Sequence, residues 1–524
     1  MEDNSVYRLA KPKKKGILPL LFSRTLIIVL LLAVQVLLIA GFYLWLNDYL
    51  SWFSVVLALF TLVMVIYLFN SDMDSTAKLT WMFIIAVLPI PGAAMLWFTQ
   101  SNLGFRKLKK RELELIRETK YALPQPAGVK DTIEQDDSGV DDLCTYLNRS
   151  GCFPIYDDTA VTYFPIGEKK FAAMLEELKK AEKYIFMEYF IIEEGYMWGE
   201  ILRILVEKAK AGVDVRVMYD GMCEVFQLPA DYWKLLEKEG IRAKPFSPIV
   251  PLVSSHYNYR DHRKILVIDG KTAFNGGVNL ADEYINHIER FGHWKDTAVM
   301  LKGRAAKSFA LMFLQMWNID EKEPDFTPCL DTEDDDPVPE TRGGYVMPYA
   351  DCPLDTDKVG ETVYMDFLNR ANDYVHIMTP YLILDGELET ALKYAAQRGV
   401  DVKIILPGIP DKKLAYALAK AHYRSLVGAG VKIYEYTPGF VHAKVFVSDD
   451  VRAVTGTINL DYRSLYHHFE CATYLYKTAC IEEMERDYQE TLAKCRAVTP
   501  ETIKNEKFGY KLLGGLLRFL APLM

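Results

Sequence analysis

Residues 262–279 read HRKILVIDGKTAFNGGVN, and residues 442–459 read HAKVFVSDDVRAVTGTIN. In each stretch a lysine stands two positions after the histidine and an aspartate seven, and a glycine and an asparagine follow at 14 and 17. Two matched copies of such a spaced polar set do not arise by chance. The stretches therefore predict one active site built from a duplicated unit. Its members are His262, Lys264, Asp269, Gly276, Asn279, His442, Lys444, Asp449, Gly456 and Asn459.

The likeness between the two stretches continues on their N-terminal sides. Residues 181–190, AEKYIFMEYF, resemble 371–380, ANDYVHIMTP, and residues 211–219, AGVDVRVMY, resemble 398–406, RGVDVKIIL. Short β-rich runs alternate with amphipathic stretches, which is typical of α/β layers. We therefore predict two pseudo-symmetric halves, each a mixed sheet flanked by helices. In the first half the expected elements are a strand at 183–190, a helix at 198–211, a strand at 213–219, a helix at 231–239 and a strand pair around 264–275.

The repeated polar set suits chemistry on a phosphoryl group without a metal or cofactor. Residues two apart on a strand share a face, so the histidine and lysine of each copy project together. We expect the lysines to neutralise phosphoryl oxygens, the asparagines to donate hydrogen bonds, and the glycines to let the backbone approach. One imidazole can attack phosphorus while the other protonates the leaving alcohol. Candidate carboxylates to orient the rings are Asp296 and Glu470, 34 and 28 residues after their histidines.

The composition excludes several classes of protein. The chain has 524 residues, of which 13% are aromatic, so it is not disordered throughout. A formal net charge of −9 argues against a nucleic-acid partner. Its eight cysteines include no C-x-x-C pair, which excludes a zinc-ribbon pattern and favours a reducing compartment. The sequence therefore indicates a folded intracellular catalytic part.

The first hundred residues are far more apolar than the rest. Residues 26–46, 52–69 and 79–98 carry no charge and are each long enough to be candidates for crossing a bilayer. We predict a membrane anchor over 1–111 with two or three hydrophobic helices, in which Pro89 and Pro91 could break the third. Basic clusters at 11–15 and 106–111 both favour the cytoplasm, and three full crossings cannot satisfy both. The number of crossings stays open, and the larger part is placed in the cytoplasm.

The remaining boundaries follow from composition. We expect the first half over 112–330, an acidic linker over 331–345 and the second half over 346–507. Residues 508–524 combine apolar side chains with Lys511 and Arg518, which fits an interfacial helix and, almost equally well, a helix docked on the domain. The adjacent His467 and His468 are interpreted as surface or core residues without a catalytic role.

The duplicated H-x-K-x4-D-x6-G-x-x-N pattern resembles the phospholipase D superfamily. Its surroundings, among them YRDHRKILVIDGK, YEYTPGFVHAKVFVSDD and GTINLDYRS, are similar to the bacterial cardiolipin synthases of that superfamily. The chain departs from the usual pattern at Thr457, where serine is common, and at Asp261, where asparagine is frequent. The apolar stretch 26–46 is additional to the family's two-span pattern.

The resemblance implies a membrane-bound phosphatidyltransferase of a bacterial cell membrane. Its partners would be phosphatidylglycerol, cardiolipin and the lipid bilayer, with no nucleic acid. His262 would form a phosphohistidine intermediate, and His442 would protonate the departing glycerol and then deprotonate a second alcohol. Hydrolysis or transfer on other phospholipids, as in a phospholipase D, is the alternative. A non-catalytic lipid-binding scaffold would be expected to have lost one polar set, and both are intact.

Overall fold

The computed structural model describes residues 6–10, 50–71, 73–100, 106–136, 138–248, 259–330 and 343–521. Its first helices are α1 (Leu50–Phe69), α2 (Ser75–Val87) and α3 (Pro89–Gln100). Within this described part, one helical stretch, Trp52–Phe69, is long and apolar enough to cross a membrane. The predicted span 79–98 is divided between α2 and α3, so it is not one long helix, and the break falls before Pro89 as its prolines allow. The predicted span 26–46 lies outside the described residues.

Three helices connect the N-terminal segment to the first sheet. They are α4 (Arg106–Glu118), α5 (Val129–Glu134) and α6 (Val140–Ser150). Helix α6 does not pack on the first half alone, because the Tyr146 hydroxyl donates to Thr362 Oγ1 of the second half at 3.2 Å. The first half, which was predicted to begin at residue 112, therefore starts with a segment that contacts both halves.

The first half is a seven-stranded mixed sheet in the order β1-β9-β7-β6-β2-β3-β4. Strands β2, β3 and β4 run parallel, and the other pairs are antiparallel. The strands are β1 (Thr159–Phe164), β2 (Tyr184–Tyr189), β3 (Asp214–Asp220), β4 (Arg242–Phe246), β5 (Arg260–Asp261), β6 (Lys264–Ile268), β7 (Thr272–Gly276), β8 (His293–Lys295) and β9 (Ala298–Gly303). The helices are α7 (Gly167–Leu178), α8 (Tyr196–Lys210), α9 (Cys223–Phe226), α10 (Tyr232–Lys238), α11 (Ala306–Trp317) and α12 (Thr327–Leu330), with 3₁₀ turns at Asp282–Ile285 and Asn318–Asp320.

The second half repeats this plan in the order β10-β17-β16-β15-β11-β12-β13-β18. Its strands are β10 (Tyr345–Asp351), β11 (Tyr374–Met378), β12 (Asp401–Pro407), β13 (Lys432–Tyr436), β14 (Gly439–Val441), β15 (Val445–Ser448), β16 (Arg452–Gly456), β17 (His468–Tyr476) and β18 (Cys495–Ala497). Its helices are α13 (Val359–Arg370), α14 (Gly386–Gln397), α15 (Lys413–Gly428), α16 (Tyr462–Tyr466), α17 (Cys480–Leu492), α18 (Pro500–Lys504) and α19 (Phe508–Leu520).

The elements predicted from the repeat are confirmed to within about two residues, as β2, α8, β3, α10 and the pair β6–β7 show. The parallel strand β2 is buried at all six positions because helices cover both faces of such a sheet. Strand β10 begins at Tyr345, so the second half starts inside the predicted linker 331–345. Residues 331–342 of that linker lie outside the described residues.

Two short strand pairs connect the halves. Strand β5 pairs in parallel with β17, and β14 pairs in parallel with β8. The two halves also share one hydrophobic core, in which Phe309 and Phe313 of α11 belong to the same buried cluster as Met347 and Tyr474. The halves are therefore held against each other in a fixed register, and each motif histidine follows one of these inter-half strands.

Candidate active site

The two motif histidines are positioned by the inter-half strand pairs. His262 follows β5, and its backbone N–H donates to the Phe469 carbonyl of β17 at 2.9 Å. His442 follows β14, and its backbone N–H donates to the Lys295 carbonyl of β8 at 2.7 Å. Both strand pairs are parallel, so the residue that follows each accepting carbonyl lies beside the histidine of the other half. Glu470, which follows Phe469, lies beside His262, and Asp296, which follows Lys295, lies beside His442.

Each histidine is therefore oriented by a carboxylate of the opposite half. His262 Nδ1 lies 2.9 Å from both carboxylate oxygens of Glu470, and His442 Nδ1 lies 2.7 Å from Asp296 Oδ2. Both predicted carboxylates contact the rings, but each contacts the histidine of the opposite half, so the expected pairing with the histidine of its own half is wrong. The physical reason is the inter-half strand register, which brings each ring to the partner half's carboxylate.

The side chain of each motif lysine turns back to the backbone of the histidine in its own motif. Lys264 Nζ donates to the His262 carbonyl at 2.6 Å, and Lys444 Nζ donates to the His442 carbonyl. Burial lowers the pKa of Lys264 to about 8 and the pKa of Lys444 to about 7. Their ammonium groups are thus poorly solvated, and a bound phosphoryl group would compensate that loss of hydration.

Burial and the neighbouring Lys264 lower the pKa of His262 well below its ordinary value, while burial and Lys444 lower the pKa of His442 to about 4. Burial also raises the pKa of Glu470 well above its ordinary value. Burial alone would raise the pKa of Asp296, but attraction to His442 and Lys444 outweighs it and leaves that pKa lowered. The His442–Asp296 pair is consequently better suited to hold a proton on its imidazole than the His262–Glu470 pair.

The motif aspartates do not belong to this cluster, which corrects their assignment to the catalytic set. The Asp269 carboxylate accepts hydrogen bonds from the backbone N–H groups of residues 182–184 at 2.8 Å. The Asp449 carboxylate accepts from those of residues 372–374 at 2.8–3.0 Å. Each aspartate thus anchors the start of a central strand, β2 or β11, to the turn that carries it.

The motif glycines serve strand packing rather than close approach of the backbone to a substrate, which is a second correction. A Cβ on Gly276 would overlap Ala298 and the Thr297 carbonyl on the neighbouring strand, and Gly276 has φ +148°, which disfavours other residues. A Cβ on Gly456 would overlap Ala472 and the Cys471 carbonyl.

The motif asparagines do line the same pocket as the histidines, in agreement with the prediction. Asn279 Oδ1 accepts from the Ile191 N–H at 3.1 Å, and its Nδ2 donates to the Tyr284 hydroxyl at 2.8 Å. Asn459 Oδ1 is buried without a hydrogen-bond partner among the described residues. The pocket that holds both asparagines and both histidines has a volume of about 590 Å³. It can therefore accommodate a phosphodiester headgroup between the two imidazoles.

Comparison with known proteins gives a consistent result. A family model described as cardiolipin synthase, PLD-like domain, matches residues 174–317 and 364–492. A cardiolipin synthase of Alkalihalophilus pseudofirmus is 32% identical over 462 residues, which cover 88% of this chain and 91% of that protein. The chain belongs to the bacterial cardiolipin synthase family of the phospholipase D superfamily. It is thereby a phosphatidyltransferase.

Two further relatives define how far the likeness extends. An uncharacterised protein of Streptococcus mutans is 57% identical over 460 residues, covering 88% of this chain and 99% of that protein. The crystal structure of phosphatidylserine synthase from Haemophilus influenzae matches with a TM-score of 0.51 at 14% identity, covering 68% of this chain and 95% of that one. At that identity the second match shows a shared fold only.

Thr457 stands where the resemblance described above leads us to expect a serine, and its hydroxyl forms hydrogen bonds in the site. The Thr457 hydroxyl donates to Glu470 Oε2 and accepts from the Cys471 N–H at 3.0 Å. Gly277 occupies the corresponding position of the first half, where a Cβ would overlap the Asp296 carboxylate. The two carboxylates of this cardiolipin synthase family member are thus held differently, Glu470 by a hydroxyl and Asp296 by the backbone N–H of Thr297.

His468 is a site residue that the sequence interpretation missed. Its ring centroid lies 5.3 Å from that of His262, and its Nε2 accepts from Arg463 Nε at 3.1 Å. Burial lowers the pKa of His468 well below its ordinary value, so the ring that lines the pocket is uncharged. The ring centroids of Trp294 and His442 are likewise close, at 5.4 Å. The missed signal was the spacing, since His468 and Glu470 are two apart on β17 and share a face.

Proposed function

We propose that the enzyme transfers a phosphatidyl group from one phosphatidylglycerol to another and releases glycerol. The observation that carries this proposal is the pair of histidines, each held by a carboxylate of the opposite half, in one pocket with two buried lysines behind them. Two separately oriented imidazoles supply the nucleophile and the proton donor that a double displacement at phosphorus needs.

In the first step, Nε2 of His262 attacks the phosphorus of the donor lipid. Its Nδ1 is engaged by Glu470, which leaves Nε2 as the nitrogen that can react. The lowered pKa of His262, caused first by burial, keeps the ring neutral and its lone pair available. As the P–N bond forms, the bond from phosphorus to the glycerol oxygen breaks, and His442 gives its proton to that oxygen. Asp296 stabilises the protonated form of His442.

In the second step, a terminal hydroxyl of the second phosphatidylglycerol attacks the phosphohistidine. His442, now neutral, removes the proton from that hydroxyl. The new P–O bond forms as the P–N bond breaks, which regenerates His262 and leaves cardiolipin. Lys264 and Lys444 stabilise phosphoryl charge in both steps, and for that reason their loss is expected to slow both alike.

We place the enzyme in a bacterial cell membrane through its apolar N-terminal segment, with the catalytic halves in the cytoplasm. Helix α1 has 20 residues and spans about 30 Å, the thickness of a bilayer's hydrocarbon core. The basic side chains at the start of α4, from Arg106 to Arg111, support the cytoplasmic assignment.

The decisive experiment supplies purified enzyme with phosphatidylglycerol labelled in its terminal glycerol. Cardiolipin and free glycerol are expected in equal amounts, with His262→Ala as an inactive control. Phosphatidic acid as the main product would instead identify a hydrolase. Cardiolipin without release of labelled glycerol would contradict the proposed donor.

A further inference from the structure

The C-terminal helix α19 carries an apolar stripe that nothing in the described part of the chain covers. Phe508, Leu512 and Leu516 are exposed by 78%, 54% and 62%. Residues four apart lie on the same side of a helix, so these three form one continuous stripe. An uncovered stripe of large apolar side chains indicates a contact surface.

The other face of α19 holds the helix on the second half. Gly514 packs against the Ala417 carbonyl of α15 closely enough to exclude a side chain. Leu517 and Ala521 join a buried cluster with Leu418 and Tyr462. Since this face is fixed to the domain, the stripe is presented outward as part of a rigid surface.

Helix α2 lies against the end of α19 and has a stripe of the same kind. The Thr80 hydroxyl donates to the Phe519 carbonyl at 2.8 Å, and the rings of Phe83 and Phe519 meet edge to face at 4.8 Å. Leu79, Phe83 and Val87 of α2, again four apart, are exposed. We call these two stripes together the apolar face.

Helix α2, which carries part of the apolar face, packs with its other side against the end of the apolar helix α1. Leu68 near the end of α1 packs with Trp81 and Ile85 of α2 and with Leu96 of α3. A bilayer crossed by α1 would therefore have its surface close to α2, and hence close to α19. Because α2 has 13 residues and is too short to cross, it can lie along that surface.

The charges around α19 favour binding of this helix to an anionic surface. Residues 507–521 contain Lys507, Lys511 and Arg518 and no acidic residue, although the whole chain has a net charge of −9. Arg518 pairs with Glu389 of α14 at 2.8 Å, so the two lysines near the start of the helix are the cations offered to a lipid headgroup. Cations beside an apolar stripe are typical of helices that lie at the interface of membranes with anionic lipids. A protein partner would not require this local reversal of charge.

The active-site pocket opens beside this helix. Ala521, next to the end of α19, lines the pocket together with Tyr462, His262 and His442. We propose that the apolar face rests on an anionic lipid bilayer and holds the pocket mouth at the headgroup level, so that lipids enter from the bilayer surface. This proposal rests on the proposed lipid substrate and adds the route by which that substrate arrives.

The test uses the full-length protein reconstituted in vesicles of phosphatidylglycerol and phosphatidylethanolamine. Leu512→Ser with Leu516→Ser is compared with Leu330→Ser, which alters an exposed leucine on α12. We expect the double variant to lose about tenfold or more in kcat/KM on bilayer phosphatidylglycerol. On monomeric short-chain phosphatidylglycerol, which needs no delivery from a bilayer, its activity should match that of the control. Equal losses on both substrates, or no loss on either, would overturn the proposal.

A second measurement does not depend on activity. A fluorophore on Leu516→Cys should be quenched by lipids that carry a nitroxide near the headgroup, and one on Leu330→Cys should not. The parent protein serves as the blank for its native cysteines. A lack of quenching would overturn the proposal, and this includes the case in which a second copy or another protein covers residue 516. If the wild-type enzyme made no cardiolipin but the quenching were seen, the proposed function would fail and the membrane contact would stand.

Discussion

At the scale of single residues, the two histidines differ in the groups that hold them. His262 contacts Glu470, whose carboxylate also accepts from Thr457, while His442 contacts Asp296. Burial lowers the pKa of both imidazoles, so the difference lies in their carboxylates: the pKa of Asp296 beside His442 is lowered, and that of Glu470 beside His262 is raised. This favours His262 as nucleophile and His442 as proton donor. These roles can be separated with a substrate whose leaving group needs little protonation.

His262→Ala should abolish transfer and leave no lipid on the enzyme, because the attacking nitrogen is gone. His442→Ala should also be inactive on phosphatidylglycerol, since general acid catalysis is worth about 10²–10⁴-fold. With a p-nitrophenyl phosphodiester, the His442 variant should release a burst of nitrophenol of about one equivalent and then stall. The His262 variant should show no burst. A burst with His262→Ala alone would reverse the two roles.

The buried lysines predict the alkaline side of the pH profile. Burial lowers the pKa of Lys264 to about 8 and that of Lys444 to about 7, so raising the pH through this range removes positive charge from the phosphoryl site. We therefore expect kcat/KM to fall between about pH 7 and 8. Any activity retained by Lys444→Arg should fall less over that range, because arginine stays charged. A wild-type profile that is flat up to about pH 9 would contradict this prediction.

At the scale of the secondary-structure elements, the motif aspartates fasten strands. Asp449 has φ +54°, and its carboxylate accepts three backbone hydrogen bonds at the start of β11. Asp269 does the same for β2. A residue type spaced constantly from a catalytic histidine can therefore be structural.

Asp449→Ala should lower the free energy of unfolding by about 1–3 kcal/mol, because three backbone N–H groups lose their acceptor. Added to the His442→Ala variant, Asp449→Ala should leave the nitrophenol burst of the folded protein in place, since the carboxylate lies outside the pocket. Thermal unfolding and burst amplitude, measured on the same sample, provide the test, and Asp269→Ala is the matched variant of the other half. Loss of the burst without a change in unfolding would restore the catalytic assignment.

The sequence predicted the elements of the repeat well, because strand alternation and helix spacing are local properties. It could not predict which carboxylate serves which histidine, since that depends on the pairing of β5 with β17 and of β14 with β8. Strands β5 and β14 have two and three residues and leave no periodic signal. His468 differs, because its spacing of two from Glu470 on β17 is a local signal, although its place beside His262 exists only when the halves meet.

At the scale of the whole molecule, the break between α2 and α3 bears on the membrane topology. Three full crossings would place the basic clusters at 11–15 and 106–111 on opposite sides of the membrane. Helix α2 instead docks on the catalytic part through Thr80, and with α3 it does not form one long span. Crossings by 26–46 and α1 alone would leave both clusters on the cytoplasmic side, as their positive charge favours.

This topology predicts that the catalytic halves are unreachable from outside the cell. Tyr121, which follows α4, is 86% exposed, so a cysteine placed there would react readily with a maleimide. In intact cells Tyr121→Cys should resist a membrane-impermeant maleimide, and it should be labelled once the membrane is opened. The parent protein is the control, because seven of its eight cysteines are buried. Labelling of Tyr121→Cys in intact cells would place the catalytic halves outside the cell. If the basic tail stays in the cytoplasm, that result would require an odd number of crossings between the tail and α4.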